Sequence, residues 1–161
     1  MSEILGTLFK YLVALLGVGA VVLILYQVFG TNKTQNAISD LTQLQANSQA
    51  LYNGQNTFTT LTNTVAVSGK LATTSMIAGA AALQNPWGGA VTINVNGGNA
   101  AQFDITEAAV PQEACAKMVV GLSTVVALKV NAVAQVLPLD AGTAVTACNV
   151  AANTLIYTFA H

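Results

Sequence analysis

Few residues in this chain could carry out acid–base or nucleophilic chemistry. Its only histidine is His161, the last residue, and a chain end is a poor place to hold a base in register. No Ser-His-Asp or Cys-His set can be assembled around it. Asp104 and Glu107 lie in an extended run, where residues three apart face opposite sides, so they do not form an acid–base pair. We expect both carboxylates to be solvated, with Asp104 bonding a turn, and we predict that the chain is not an enzyme.

The two cysteines, Cys115 and Cys148, allow two interpretations. Neither has a second cysteine or a histidine nearby to complete a tetrahedral site, so no metal is expected. An even count suits one disulfide, which needs an oxidising compartment. The alternative is two separate buried thiols that behave as small apolar side chains. An apolar run of membrane-spanning length precedes both cysteines, which favours the disulfide and places the C-terminal part outside the cytoplasm.

Cofactor binding is not indicated by the glycine pairs or by the single tryptophan. Gly88-Gly89 and Gly97-Gly98 do not lie between a strand and a helix with phosphate-loop spacing, so we interpret them as turns. Trp87 is either a binding aromatic on a loop or a cover for the edge of the core, and we favour the core position. We therefore expect no cofactor.

The composition excludes several classes of protein. Of 161 residues, 53% are hydrophobic and only 7% are charged, with a net charge of -1. No arginine is present, and five lysines cannot neutralise a run of phosphates, so no nucleic-acid partner is expected. Low charge with high apolar content also excludes a disordered chain. The remaining classes are a membrane protein and a protein whose surface is buried against copies of itself.

The first thirty residues hold much of the apolar excess. The run Tyr11–Phe29 contains no charge, and as a helix it would extend roughly 28 Å, close to the hydrocarbon thickness of a bilayer. A secretory signal peptide is the competing explanation. The run is longer than a usual signal core and no A-x-A cleavage site follows it. We therefore predict a retained segment that crosses the membrane once.

Beyond this run, the polar stretch Thr31–Thr64 carries an apolar stripe at helical spacing. The stripe consists of Ala37, Leu41, Leu44, Leu51, Phe58 and Leu61, with Ser48 and Gln55 at intervening positions. No proline occurs before Pro86. The pattern favours one helix from near residue 2 to about residue 53, apolar all round in its first half and amphipathic in its second. The alternative is a membrane anchor followed by a flexible polar linker.

The rest of the chain indicates a compact α+β domain. We predict a short helix over Gly69–Ala82, a turn at Asn85–Gly89, a hairpin of Ala90–Val95 and Ala101–Val110, a helix beginning near Pro111, and strands at Val130–Leu137 and Thr154–Phe159. Asn96–Asn99 supplies hairpin residues that accept positive φ. The periodic set of the later helix is Cys115, Met118, Val119, Leu122 and Val126.

Several motifs together make this chain resemble the type IV pilins, and more closely the type IVb pilins of the PilS kind found in thin pili of conjugative plasmids and some enteric pathogens. The motifs are the acidic head Met1–Glu3, the apolar helix to Phe29, NPWGG at Asn85–Gly89 followed by VTINV, FDIT at Phe103–Thr106, VPQEAC at Val110–Cys115, and TLIYTF after Cys148. The resemblance covers essentially the whole chain. It implies a long N-terminal helix packed on a small antiparallel sheet domain with extra short helices. It also implies an apolar helix half at 1–30, an amphipathic half and connection at 31–64, and a globular head with one disulfide at 65–161.

The resemblance further implies a structural subunit that polymerises through its apolar helix into an extracellular pilus. Before assembly the subunit would lie in the inner membrane beside the pilus assembly machinery. The finished filament would contact a recipient or host cell surface in conjugation or adhesion. No basic leader ending in glycine precedes Met1, so we expect the mature form, and methylation of Met1 stays open. The alternatives are a minor pilin or secretion pseudopilin, and a single-span protein with a periplasmic ligand-binding domain.

Four residues near the amino terminus are candidates for a role in assembly. Most of the family has a glutamate at the fifth mature position, whereas the acid here is Glu3. The role of the family's glutamate is therefore assigned to Glu3 because it is an acid, although its position differs. A carboxylate in an apolar core needs a cation, either the α-amino group of Met1 or Lys10 of an axially staggered copy. The alternative is that Glu3 and Lys10 extend to the lipid headgroups. Gly17 and Gly19 permit either local unwinding or close helix packing. The expected filament core is Leu12, Leu15, Leu16, Val21, Val22, Leu23 and Leu25.

Overall fold

The computed structural model describes the backbone of residues 2–161 and the packing of individual residues throughout 32–161. Nearer the amino terminus it describes the packing of six positions, which are Gly6, Lys10, Tyr11, Val13, Ala14 and Leu16. The chain divides into two compact units, Met1–Lys33 and Thr34–His161.

The chain combines helices with an antiparallel set of strands, in agreement with the predicted α+β class. In chain order they are α1 (Ser2–Leu51), α2 (Asn63–Ser68), β1 (Ile77–Gly79), β2 (Ala82–Gln84), β3 (Ala90–Asn96), β4 (Asn99–Pro111), α3 (Gln112–Gly121), β5 (Ala127–Val130), β6 (Val133–Gln135), α4 (Ala141–Ala147) and β7 (Ala152–Ala160). The long first helix is confirmed, and it ends two residues before the predicted position.

The seven strands form one antiparallel sheet in the order β1-β2-β3-β4-β7-β5-β6. The C-terminal strand β7 therefore lies inside the sheet, between β4 and β5. Alternate residues of the central strands point into the core, as the period of two requires. Phe103, Ile105, Leu155, Tyr157 and Phe159 are fully buried there.

Within the unit Thr34–His161, the last part of α1 supplies one face of the core. Ala37, Leu41 and Leu44 are buried at the predicted helical spacing. Ser48 lies on the same buried face. Its burial is tolerated because its hydroxyl donates a hydrogen bond to the carbonyl of Leu44 at 2.6 Å, so this polar group is not left without a partner.

The predicted stripe does not stay on the helix to its end. Leu51 is the last helical residue and its side chain is 48% exposed, while Gln55 lies beyond the helix in solvent. Gly54 takes φ of 91°, which turns the chain away from the helix axis. Phe58 and Leu61 are buried, as the pattern indicates, but they reach the core from a loop.

The predicted helix over Gly69–Ala82 is wrong. Gly69 caps α2, and Lys70 takes φ of 55°, so the helix stops where the prediction begins it. The hydroxyl groups of Thr73 and Ser75 donate to the carboxylate of Asp40, at 2.8 Å for Thr73. These hydroxyls bond a carboxylate that is distant in sequence, and the segment continues as a loop into β1 and β2.

The predicted single strand over Val130–Leu137 is also wrong, because the chain reverses inside it. Asn131 and Ala132 take φ of 51° and 67°, which makes a tight turn between β5 and β6. The Asn131 side chain holds this turn, since it donates to Asn153 Oδ1 at 2.8 Å and accepts from the Thr154 amide at 3.0 Å. An asparagine that tolerates the left-handed region provides the turn without a glycine.

The hairpin of β3 and β4 is confirmed, but its loop does not use the left-handed glycines that the sequence suggested. Among the described glycines only Gly54 and Gly88 have positive φ. The Asn96 side chain organises the loop instead, because its Oδ1 accepts from the amides of Gly98 and Asn99 at 2.9 and 3.1 Å.

The predicted membrane span Tyr11–Phe29 falls largely on residues whose packing lies outside the described part of the chain. Among the residues that are described, no helix has both the length and the hydropathy of a membrane span.

Candidate functional site

The region between the two cysteines is closed by a disulfide. Cys115 in α3 and Cys148 at the C-terminal end of α4 are bonded, with their Cα atoms 5.9 Å apart. Both residues are fully buried. The bond fastens α3 to α4 and encloses the β5–β6 hairpin in the loop between them.

A shallow apolar groove of about 560 Å³ is lined by residues of α3 and α4. α3 buries Ala114, Cys115, Met118 and Val119 in the core, so its other face is turned outward. Residues that line the groove include Glu113, Ala116, Lys117, Val120, Ala141 and Val145. The Lys117 ammonium pairs with Glu113 at 3.1 Å, and the other lining residues carry no charge.

The turn at Asn85–Gly89 clamps the start of β3 against β4. Asn85 Oδ1 accepts from the amides of Trp87 and Gly89 at 3.2 and 2.8 Å, and its Nδ2 donates to the Ala108 carbonyl at 2.8 Å. A Cβ on Gly89 would lie 1.9 Å from the same carbonyl oxygen, so only glycine fits. Trp87 is half-buried and packs against the core, as we expected.

Opposite this turn, β4 buries a carboxylic acid. The strand register shifts between Glu107 and Val110, and Ala109 in between takes φ of 54°. Glu107 is only 1% exposed, and its Oε2 has no hydrogen-bond partner among the described groups. The hydroxyl of Tyr157, also fully buried, has none either. The expectation that Glu107 is solvated is therefore wrong.

Burial raises the pKa of Glu107 from its ordinary value of 4.5 to about 8. A hydrogen bond from the Asn85 side chain opposes this shift, and the negative charge of Asp40 adds to it. Burial also raises the pKa of the Tyr157 hydroxyl, with a further contribution from Glu107. At neutral pH the folded protein therefore holds Glu107 mostly as the neutral acid.

The other candidates for chemistry have structural surroundings. Asp104 accepts from Asn96 at 3.0 Å and from the Thr158 hydroxyl at 2.7 Å, so it does bond the hairpin turn as predicted. The imidazole of His161 stacks on Phe58, with ring centroids 4.3 Å apart. In the part of the chain that is described, no three His, Cys, Asp or Glu side chains gather as a metal site.

Most of the assembly residues predicted near the amino terminus lie outside the residues whose packing is described. These are Glu3, Gly17, Gly19, Leu12, Leu15, Val21, Val22, Leu23 and Leu25. Lys10 and Leu16 are described, and both are exposed in the single chain.

A family model described as PilS N-terminal matches residues 31–160 of the chain. The chain belongs to the PilS N-terminal family. The match begins inside α1 and includes the disulfide, the groove, the Asn85–Gly89 turn and Glu107. This family and its fold provide structural subunits and not enzymes.

Solved structures show that this PilS-family chain has the type IVb pilin fold. A crystal structure of the type IVb pilin from Salmonella typhi is 21% identical, with a TM-score of 0.65, and the match covers 79% of this chain and 99% of that one. The type IV pilin TcpA from Vibrio cholerae El Tor is 15% identical, with a TM-score of 0.55, over 79% and 98% of the two chains. No curated protein matches the chain.

Two features of this PilS-family chain were missed from the sequence. The burial of Glu107 could have been predicted from the sequence. Phe103, Ile105 and Glu107 occupy alternate positions of one strand, so all three face the same side, and the first two are apolar residues that face the core. The groove could not have been predicted, since it depends on how α3 and α4 pack together across the disulfide.

Proposed function

We propose that this chain is the repeating subunit of an extracellular type IVb pilus and that it polymerises through its amino-terminal helix. The observation that carries this proposal is the family match over residues 31–160, joined to a helix of 50 residues whose first part contains the apolar run Tyr11–Phe29. The three functional parts are the ones the sequence suggests, which are the filament-core helix half 1–30, the amphipathic half and connection 31–64, and the disulfide-bonded head 65–161.

The exposure of apolar side chains in the first part of α1 supports helix-mediated assembly. Tyr11, Val13 and Leu16 are all exposed in the single chain. Apolar surface of this kind is favourably covered, by lipid in the inner membrane before assembly and by neighbouring helices in the filament. Gly17 and Gly19 let these helices approach closely or unwind as the subunit leaves the membrane.

Charge pairing between subunits completes the filament core. Glu3 of one subunit is neutralised by Lys10 or the α-amino group of an adjacent subunit. Lys10 is exposed and therefore accessible to such a partner. A buried carboxylate without a cation would cost several kcal/mol, so the pairing also sets the axial stagger of the subunits.

The head domains form the outer wall of the filament, braced by the disulfide. A net charge of -1 for each chain keeps the repulsion between many copies small. The wall would make the contacts with a recipient or host cell in conjugation or adhesion, and the assembly machinery of the inner membrane would supply the subunits.

Electron microscopy of material sheared from cells that express the chain tests the proposal, with mass spectrometry to measure the abundance of the chain. We expect filaments in which this chain is the main protein, and none from cells that lack its gene. Filaments that contain only traces of the chain would indicate a minor pilin or pseudopilin. A wild-type chain that gives no filaments while folding in the membrane fraction would refute the proposal and favour a single-span protein.

A further inference from the structure

The groove between α3 and α4 is an apolar surface without a cover in the described part of the chain. Val120 and Val145 lie on its walls, and both side chains are exposed. Its volume of about 560 Å³ has room for several side chains of valine size. Exposed apolar concavities on a folded domain commonly mark binding surfaces.

The same chain exposes apolar side chains within the loop that the disulfide closes. In the β5–β6 hairpin and the residue that follows it, Val133 is 63% exposed and Val136 is 85% exposed. Because most of the Val136 surface faces solvent, this side chain does not fill the groove of its own chain. The stretch Ala127–Leu137 holds a single charge, that of Lys129.

The charges of the two surfaces are of opposite sign. The groove carries Glu113 and Lys117, and Asp140 caps α4 beside the groove residue Ala141. Two carboxylates and one ammonium give this surface a net charge of -1, whereas the hairpin carries +1 from Lys129. Lys129 is exposed and takes part in no salt bridge found among the described residues. Hairpin against groove is therefore favoured over groove against groove or hairpin against hairpin.

We propose that the β5–β6 hairpin of one subunit places Val133 and Val136 in the α3–α4 groove of a second copy of this chain. The inference rests on the proposed function as a polymer subunit, and it names the surfaces by which the heads meet. Because the hairpin and the groove are different patches, the contact is heterologous. Such a contact can repeat along a filament without closing into a dimer.

The contact between the heads adds to the assembly energy from the amino-terminal helices and does not replace it. Two valine side chains and the loop that carries them bury far less surface than the total of about 1,200–2,000 Å² that a stable interface buries. It adds register and stiffness to heads that the filament core already holds at high local concentration.

Cross-linking on assembled filaments tests the contact. The full chain carries Val136→Cys and Val145→Cys together, and sheared filaments are treated with a short bis-maleimide, which the disulfide-bonded native cysteines do not consume. We expect a ladder of covalent oligomers on denaturing gels. The matched control combines Val136→Cys with Thr64→Cys, an exposed position on α2, and should give no ladder.

The outcomes separate this contact from the proposed function. Filaments without a ladder, or with an equal ladder in the control, would overturn the contact and leave the pilus subunit in place. Absence of filaments from the wild-type chain would overturn both.

Substitutions give an independent measure through the resistance of filaments to shear. Val136→Asp should reduce the length of surviving filaments several-fold, whereas Val150→Asp, at a valine that is 43% exposed outside both surfaces, should not. Lys129→Glu should have an effect like that of Val136→Asp, and adding Glu113→Lys should restore part of the loss. Equal shear resistance in Val136→Asp, Val150→Asp and the wild type, with normal disulfide formation in all three, would contradict the proposal.

Discussion

Glu107 is an acidic side chain in a buried position, which disfavours its charged form. It is a carboxylic acid with a pKa of about 8, buried beside a tyrosine hydroxyl that lacks a hydrogen-bond partner among the described groups. In the unfolded chain the same group releases its proton near pH 4.5. Between these two values the unfolded state binds fewer protons than the folded state, so the free energy of unfolding decreases as the pH rises.

We therefore expect the wild-type chain to lose stability between pH 4.5 and pH 8 and to show little further change from this group above pH 8. The slope is about 1.4 kcal/mol for each pH unit, or roughly 3 kcal/mol by neutral pH. Glu107→Gln keeps the shape of the side chain and removes the ionisation. It should flatten the curve and raise the free energy of unfolding at pH 8, measured by urea unfolding in detergent.

The control for this measurement is Glu113→Gln, which removes a carboxylate whose side chain is 86% exposed. That variant should keep the wild-type slope. If Glu107→Gln and the wild type have parallel curves over the whole range, Glu107 is not a buried acid in solution.

Glu3 is a second acidic residue, and it needs a charge partner because under the proposed function it moves with the apolar helix from the membrane into the filament core. Glu3→Ala should leave membrane insertion unchanged, since lipid headgroups already accept this region. It should leave a cation unpaired in each interface, at a cost of about 3–5 kcal/mol per subunit, and so suppress assembly. Piliation is counted by electron microscopy beside a blot of the membrane fraction.

Two further variants identify the partner of Glu3. Lys10→Ala should behave like Glu3→Ala if Lys10 is the cation, and the exchange Glu3→Lys with Lys10→Glu should recover part of the piliation. Normal piliation in Glu3→Ala would show that the pairing scheme of the family does not apply at this position.

Among the elements, the Asn85–Gly89 turn has the tightest steric requirement. Gly89→Ala places a methyl carbon 1.9 Å from the Ala108 carbonyl oxygen, which is a severe clash. It also disturbs the Asn85 amide, which donates to the same oxygen. We expect a loss of about 1–3 kcal/mol or more of unfolding free energy. Gly97→Ala is the matched control, because nothing lies within 4 Å of the added carbon, and it should change stability by less than about 0.5 kcal/mol. Equal melting temperatures for the two variants would argue against this clamp.

The disulfide is the covalent link between α3 and the end of α4. Cys148→Ser should reduce stability by about 2–5 kcal/mol and lower the amount of assembled subunit. Alkylation of the wild-type protein without reductant, followed by mass measurement, should detect no labelled cysteine. Two labelled thiols in surface material would contradict the bond, and a reduced wild type should unfold like Cys148→Ser.

Elements with a regular hydrophobic period could be predicted, and elements defined by single side-chain bonds could not. The helix through Leu41 and Leu44 and the β3–β4 hairpin follow directly from their periods of 3.6 and 2. The Gly69–Ala82 segment looks helical by composition, but its hydroxyls bond Asp40, which is distant in sequence. Likewise, the turn at Asn131 is held by β7, which no local pattern reveals.

At the scale of the whole molecule, the two compact units predict that assembly depends on the amino-terminal unit and that the other unit folds without it. Removing Met1–Phe29 deletes the apolar half of the helix and leaves the unit Thr34–His161 with its own core intact. Burial of even four apolar side chains per subunit is worth about 6–12 kcal/mol before association entropy, so the deletion should abolish filaments. We expect a soluble, folded monomer by light scattering and circular dichroism. A truncated chain that still polymerises would contradict helix-driven assembly.

The whole-molecule resemblance was more informative than any single motif. The α+β class and the pilin fold could be predicted from an apolar helix, the NPWGG turn and two cysteines taken together, because each constrains a different part of the chain. Packing details such as the depth of Glu107 and the α3–α4 groove depend on contacts between elements distant in sequence, and they emerge only when all the elements are in place.

The sheet is open, and each of its two edges is formed by a short strand. β1 and β6 are each three residues long, and β1 has an irregular register against β2. A free strand edge is a template on which another chain can add its own strand, and this hazard grows when many identical chains are held side by side. Edges this short offer too few backbone hydrogen bonds to start such a ladder. In the proposed filament, crowded heads would thereby be protected from merging into the cross-β aggregates that a longer edge would nucleate.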